Sequence, residues 1–278
     1  MTPTGQVATS YPDAATVFSL NLERAKGKIP QFVKPQTLEQ VQTDVRMVTR
    51  AETAPGGPPP EADSFPEHFD GARYAVTNGT WLSDGVRIDT SYREPRRSAG
   101  KHGAVLVLSD APSTATSKFP DSDLSILAIT PRPSPPGGEE TKSPILGPFY
   151  MTELRAELVG KTILGMRVDD VIRAVDYLAS RGDVDPHDIT VVASGHMGLV
   201  ALHAAVLDSR IKHVTVDHVL ESYDSLLKAP MPLDAPQDIL PGVLLKYDIP
   251  DLVRVLGRRV TVSDPLPGTA NLAGPWKP

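Results

Sequence analysis

The chain has 278 residues, enough to bury the core of one large domain, and a formal charge of −6 with a pI near 5.6. Its Lys and Arg residues are scattered, which argues against the basic face of a nucleic-acid binder. Cysteine is absent, so disulfides, thiolate metal sites and a Cys nucleophile are excluded. No apolar run approaches the roughly 18 residues of a membrane span, and the first residues lack a signal peptide's basic start and apolar core. The expectation is a soluble chain with no membrane partner.

Residues 1–70 read as an N-terminal extension. Asp13 to Lys26 is a candidate helix, and Thr37 to Arg50 a better one, with Leu38, Val41, Val45 and Val48 at helical spacing. Ala54 to Pro66 (APGGPPPEADSFP) cannot hold regular hydrogen-bonded structure and reads as a linker, which puts a domain boundary near residue 70. From Arg73 the period changes to two. Asn78-Gly79 and Asp84-Gly85 read as turns of an antiparallel meander running to Tyr92.

Ala104 to Leu108 (AVLVL) and Leu124 to Thr130 (LSILAIT) are the continuous apolar runs that central parallel strands need. The long irregular loop PRPSPPGGEE after the second run reads as a rim of a cleft. Arg167 to Arg181 is the clearest helix, with Val168, Val171, Ile172, Val175, Leu178 and Ala179 on one stripe. Asp185-Pro186 reads as a turn into a buried strand, Ile189 to Ala193. A glycine-containing corner and an Ala/Leu-rich helix from Leu199 to about Leu207 come next. His213 to Leu220 and Val260 to Ser263 read as strands, and Asp248 to Leu256 as a capped helix. Strands alternating with helices behind an antiparallel start predict an α/β fold with a mostly parallel, doubly wound sheet over residues 71–278. Ligands of such sheets bind beyond the carboxyl ends of the strands.

The segments GKTILGMRVDDVIRAVDYLASRGDVDPHDITVV, GLVALHAAVLDSRI, SYDSLL and YDIPDLVRVLGRRVTVSDP resemble the α/β-hydrolases known as acetyl xylan esterase-like. They are most similar to the C-terminal unit of large bacterial members that carry two hydrolase-like units. The likeness is strongest from Leu158 to Asp264, looser from Arg73 to Tyr150, and absent over the extension. It implies ester hydrolysis, a small ester or acylated carbohydrate as ligand, no cofactor, and association with an active hydrolase unit.

In such enzymes a Ser sits on a strained strand-to-helix corner, G-x-S-x-G. Counting back from Ala201 to Ala205, the nucleophile position here falls on Gly195, with Ala193 and Met197 where the glycines belong. Admitting a one-residue deletion puts Met197 at the corner instead, so neither count supplies a nucleophile. Ser194 is the adjacent candidate nucleophile, and His196 or His218 the candidate base. Asp264 falls where the acid of the triad belongs, but no histidine follows His218. Asp217, His218, Glu221 and Ser222 form the densest polar cluster and, with Asp110 and Met197, are the candidate ligand contacts. Regular strand alternation would put Asp217 and His218 on opposite faces. No HExxH or His-x-His pattern is present, so no metal site is expected. The alternative to an esterase is a hydrolase-like domain that has lost its nucleophile and serves in binding or as a structural partner.

Overall fold

A computed structural model describes residues 14–31, 34–35, 37–64, 68–70, 74–96, 100–117, 119, 123–133, 146–230 and 232–270. Helices α1 (Val17–Lys28) and α2 (Leu38–Thr49) precede the strands β1 (Ala62–Ser64), β2 (His68–Asp70), β3 (Tyr74–Ser83), β4 (Val86–Pro95) and β5 (His102–Leu108). There follow α3 (Pro112–Ser117), β6 (Ser125–Ile129), α4 (Tyr150–Leu158), α5 (Ile163–Ser180), β7 (Val184–Ser194) and α6 (Gly195–Leu207). The described chain ends with β8 (Ile211–Asp217), α7 (Tyr223–Leu227), α8 (Ile249–Leu256) and β9 (Val260–Ser263).

The strands form one sheet in the order β1-β3-β4-β6-β5-β7-β8-β9, with β2 also against β3. Pairing is antiparallel from β1 to the β4/β6 contact and parallel from β6 through β9. This is the expected α/β architecture with an antiparallel start. Both central apolar runs lie at its middle, Ala104 opposite Ser125 and Leu108 opposite Ile129. Ala104, Leu106 and Leu108 face the main core, whereas Val105 and Val107 meet Ala115, Ile126 and Ala128 on the other side. Burial on both faces is what an unbroken apolar strand provides for. Because β5 has β6 on one side and β7 on the other, the order reverses there. In open α/β sheets ligands bind beyond the carboxyl strand ends at such a reversal, which here falls at the ends of β5 and β7.

Helix α6 is apolar all round, and all of it except Met197 is buried between the sheet and α2, α5 and α8. Helix α2 starts at a capping box, Thr37 with Gln40, and turns Val41, Val45 and Val48 into the same core as α6. The Pro-rich stretch after α2 reads in sequence as unable to hold regular hydrogen-bonded structure, but only its first part is irregular: Ala62–Ser64, beyond the prolines at 58–60, forms β1 against β3. The irregular part is pinned to α5. The Glu52 and Thr53 amides donate to Asp169 at 2.9 and 2.7 Å, and the Gly56 amide to Asp176 at 2.9 Å.

Local structure departs from the sequence reading at several points, each with a physical reason. Asn78-Gly79 is no turn, because β3 runs straight through it. Gly79 is there because β1 crosses so closely that a Cβ would lie 2.7 Å from the Asp63 carbonyl. The meander turns only at Asp84-Gly85, where both φ angles are positive. Asp185-Pro186 lies inside β7, not before it. The β5/β7 register shifts just there, and the His187 amide closes onto the Asp185 carboxylate at 2.9 Å. A bulge leaves residues outside the ladder, so Pro186 removes no needed donor. His102 opens β5 and meets Ser125 Oγ at 2.7 Å. Of the loop PRPSPPGGEE, read as a rim of the cleft, residues 134–140 lie outside the described residues.

Candidate functional site

At the carboxyl end of β7 lies the corner that joins it to α6. Ser194 ends the strand in extended backbone (φ −136°, ψ 156°), and Gly195 makes the corner at φ 55°. A β-carbon at positive φ crowds the following carbonyl, so such a corner is strained for any residue but glycine. The residue at the tip of the strand-to-helix turn is Gly195, which has no side chain to present. Ser194 lies one residue earlier on the ladder, paired with Asp217 across the β7/β8 edge. Beyond β5, the Ala111 amide donates to the Ser109 hydroxyl at 3.1 Å. Asp110, a candidate ligand contact, is exposed.

At the carboxyl ends of β8 and β9, Asp217 pairs in register with Ser263, and the His218 amide donates to the Ser263 carbonyl at 3.1 Å. The regular strand stops at Asp217. His218 turns left-handed, φ 51°, so alternation no longer separates the two neighbours. Its Nδ1 instead lies 2.6 Å from Asp217 Oδ2. Asp264 is likewise left-handed, φ 44°, and offers a carboxylate oxygen within 4.8 Å of the ligand atoms of Asp217 and His218. Ser263 Oγ donates to Asp217 Oδ1 at 3.1 Å. The Asp217 carboxylate is thus paired with His218 and Ser263, and the Asp264 carboxylate stands beside them. Ser222 is committed to capping α7, accepting the Ser225 amide at 2.9 Å. Glu221 is exposed, and Met197 is half-buried against the core.

His196 goes elsewhere. In the first turn of α6, it is 9% exposed and faces a segment not singled out from the sequence. Its Nδ1 lies 2.6 Å from Asp238 Oδ2 and its Nε2 lies 3.6 Å from Asp234 Oδ2. Between those two carboxylates, Gln237 donates to Asp234 at 2.6 Å and accepts from Arg167 of α5 at 2.7 Å. Arg167 is 1% exposed and stacks on Phe149, 4.8 Å from the ring centroid. Burial by itself would lower the His196 pKa. The charge and hydrogen bond of Asp238, with the charge of Asp234, outweigh it and hold the imidazole above its ordinary value. Burial raises Asp234, and the neighbouring Asp238 charge adds to that against His196, Gln237 and Arg167.

The candidate residues thus separate into an exposed group (Asp217, His218, Asp264), a ladder serine (Ser194) and a buried imidazole (His196). Sequence reasoning missed Arg167, Asp234, Gln237 and Asp238. One signal was present: Arg167 stands four residues after Ile163 and four before Val171, on the apolar stripe of α5. A buried arginine there demands carboxylates.

No family model matches the chain. One curated protein, "Putative hydrolase YtaP" of Bacillus subtilis, is 45% identical over 60 residues, covering 22% of this chain and 20% of that protein. The matched stretch thus spans a fifth of that relative's length. Among solved structures, a "putative acetyl xylan esterase" from Bacteroides fragilis superposes with a TM-score of 0.67 at 11% identity, over 92% of this chain and 77% of that one. A glucuronoyl esterase from Solibacter usitatus gives 0.51 at 14% identity, over 80% and 72%. The chain has an α/β-hydrolase fold resembling that of acetyl xylan esterases and other carbohydrate esterases. Among the described residues no helix is long and apolar enough to cross a membrane.

Proposed function

We propose that this chain is a carbohydrate-esterase-like domain that binds an acylated carbohydrate or similar small ester at the carboxyl edge of its sheet and forms no acyl-enzyme. The observation that carries the reading is the corner itself, glycine at φ 55° with the nearest hydroxyl, Ser194, one residue back on the ladder. Acyl transfer needs a nucleophile within reach of a base that is itself oriented. Here His196 is enclosed by carboxylates, His218 is held by Asp217, and no later histidine exists. The names of the structural relatives supply the ligand class. In a two-unit arrangement such as the sequence resemblance implies, the domain would work beside an active hydrolase unit.

The test combines a serine-directed fluorophosphonate probe, aryl acetate turnover and calorimetry with acetylated xylo-oligosaccharides. Wild type should remain unlabelled, turn over no faster than Ser194→Ala, and still give a saturable binding heat. Stoichiometric labelling of Ser194, or turnover lost in Ser194→Ala, would overturn this reading in favour of an esterase.

A further inference from the structure

We infer that residues 232–240 form a proton-controlled clasp over the first turn of α6, closed when His196 is charged between Asp234 and Asp238 and released when it is neutral. The segment carries a single 3-10 turn, Ala235–Gln237, and is held at three points. Asp238 and Asp234 take His196 on α6, Gln237 takes Arg167 on α5, and Asp234 fits against Gly147, where a Cβ would overlap its carboxylate oxygen. Its apolar anchoring is uneven. Leu240 and Ala235 are buried, whereas Leu233 and Ile239 stand 36% and 43% exposed. Polar contacts to α6 therefore decide whether the segment stays down.

Among the four nearest groups, Arg167 and protonated His196 offset Asp234 and Asp238. Asp110 after β5 and Asp170 on α5 add negative charge facing Arg167, and Glu153 on α4, whose pKa burial raises to about 7, adds more as pH rises. His203, one face further along α6, stays neutral, because burial lowers its pKa to about 4. Deprotonating His196 leaves two buried carboxylates with Arg167 alone, and Asp234 Oδ1 already has no hydrogen-bond partner among the described residues. An under-compensated buried charge is costly, and opening the segment to water relieves it.

The sign follows from linkage. The His196 and Asp234 pKa values are both raised in the closed form. The closed form therefore binds protons more tightly than the open one, and closure is lost as pH rises through these values. For His196 the loss starts above the value of a free imidazole, about 6.5. Each proton released on opening shifts the equilibrium by up to about tenfold per pH unit.

Hydrogen exchange of the full chain, corrected for intrinsic rates, reads this opening in the peptide holding the Asp238 and Ile239 amides, which donate to the Ala235 carbonyl at 2.9 and 3.1 Å. Protection there should fall by up to about tenfold per pH unit above pH ~6.5 while α5 and β7 stay constant. In His196→Gln the fall should vanish. The midpoint in wild type should coincide with the His196 imidazole titration followed by NMR, a comparison that holds even if the variant folds poorly. Flat protection to pH ~10, an unchanged slope in His196→Gln, or a midpoint away from the NMR titration would each overturn the clasp.

Discussion

Gly195 concentrates the functional question in one residue, since a corner at φ 55° both needs glycine for comfort and needs a side chain for acyl transfer. A side chain placed there should cost stability without conferring chemistry. Gly195→Ser is expected to lower unfolding free energy by about 1 kcal/mol through the crowding of its β-carbon, measured by urea denaturation. Aryl acetate turnover should stay at background, because the imidazole next in sequence already binds Asp238 at 2.6 Å. A rise of a hundredfold or more would mean that a base does reach the corner. The strand, glycine-containing corner and apolar helix around Gly195 were legible because each is a local pattern. The partners of His196 were not. Asp238 lies 42 residues further along, on an irregular segment whose sequence has no period, and only the sheet's topology brings the two together.

Among the elements, α5 is the helix on which several connections depend. Asp170, 0% exposed, accepts from the Arg132 amide at 2.8 Å and from Ser83 Oγ at 2.6 Å, and its Oδ1 lies 3.0 Å from the Arg132 guanidinium. It thereby joins the β3/β4 turn and the exit of β6 to the helix. Burial pushes its pKa up to about 6 against the pull of Arg132 and the two hydrogen bonds. Asp170→Ala leaves Arg132 buried beside Asp84 alone and should cost about 3 kcal/mol. Asp170→Asn keeps an acceptor for the amide and should cost nearer ~1 kcal/mol. Calorimetric melts of the two variants side by side would check the order, and equal losses would mean that the charge, rather than the acceptor, carries the contact. The α5 stripe was visible in sequence because apolar periodicity is local. That stripe says nothing of Asp169, Asp170 and Asp176, which are the acceptors for loops and arginines that arrive from elsewhere.

At the scale of the molecule, strand order and core follow from features that sequence carries well: two continuous apolar runs, one apolar helix and the alternation of strands with helices. How the first 70 residues relate to the sheet is a matter of contacts that sequence does not carry. Val41, Val45 and Val48 of α2 are buried against α6, Gln42 Nε2 donates to the Val206 carbonyl at 2.8 Å, and β1 pairs with β3. Each fully buried valine is worth about 1.5 kcal/mol or more, so the three together approach the roughly 5–15 kcal/mol by which whole domains are stable. Ordering twelve residues of α2 offsets much of that gain, and the net contribution of the helix is smaller than the burial alone. What a shortened chain cannot avoid is the surface left behind. Without residues 1–70, an apolar face of α6 meets water, and buried Asp169 loses the Glu52 and Thr53 amides that satisfy it. A fragment of residues 71–278 should therefore bind a hydrophobic dye and show a broadened, less cooperative melt than the full chain. Near-UV circular dichroism and a urea titration of both proteins make the comparison. A fragment melting as sharply as the full chain, within a degree or two, would show that α2 rides on the fold without supporting it.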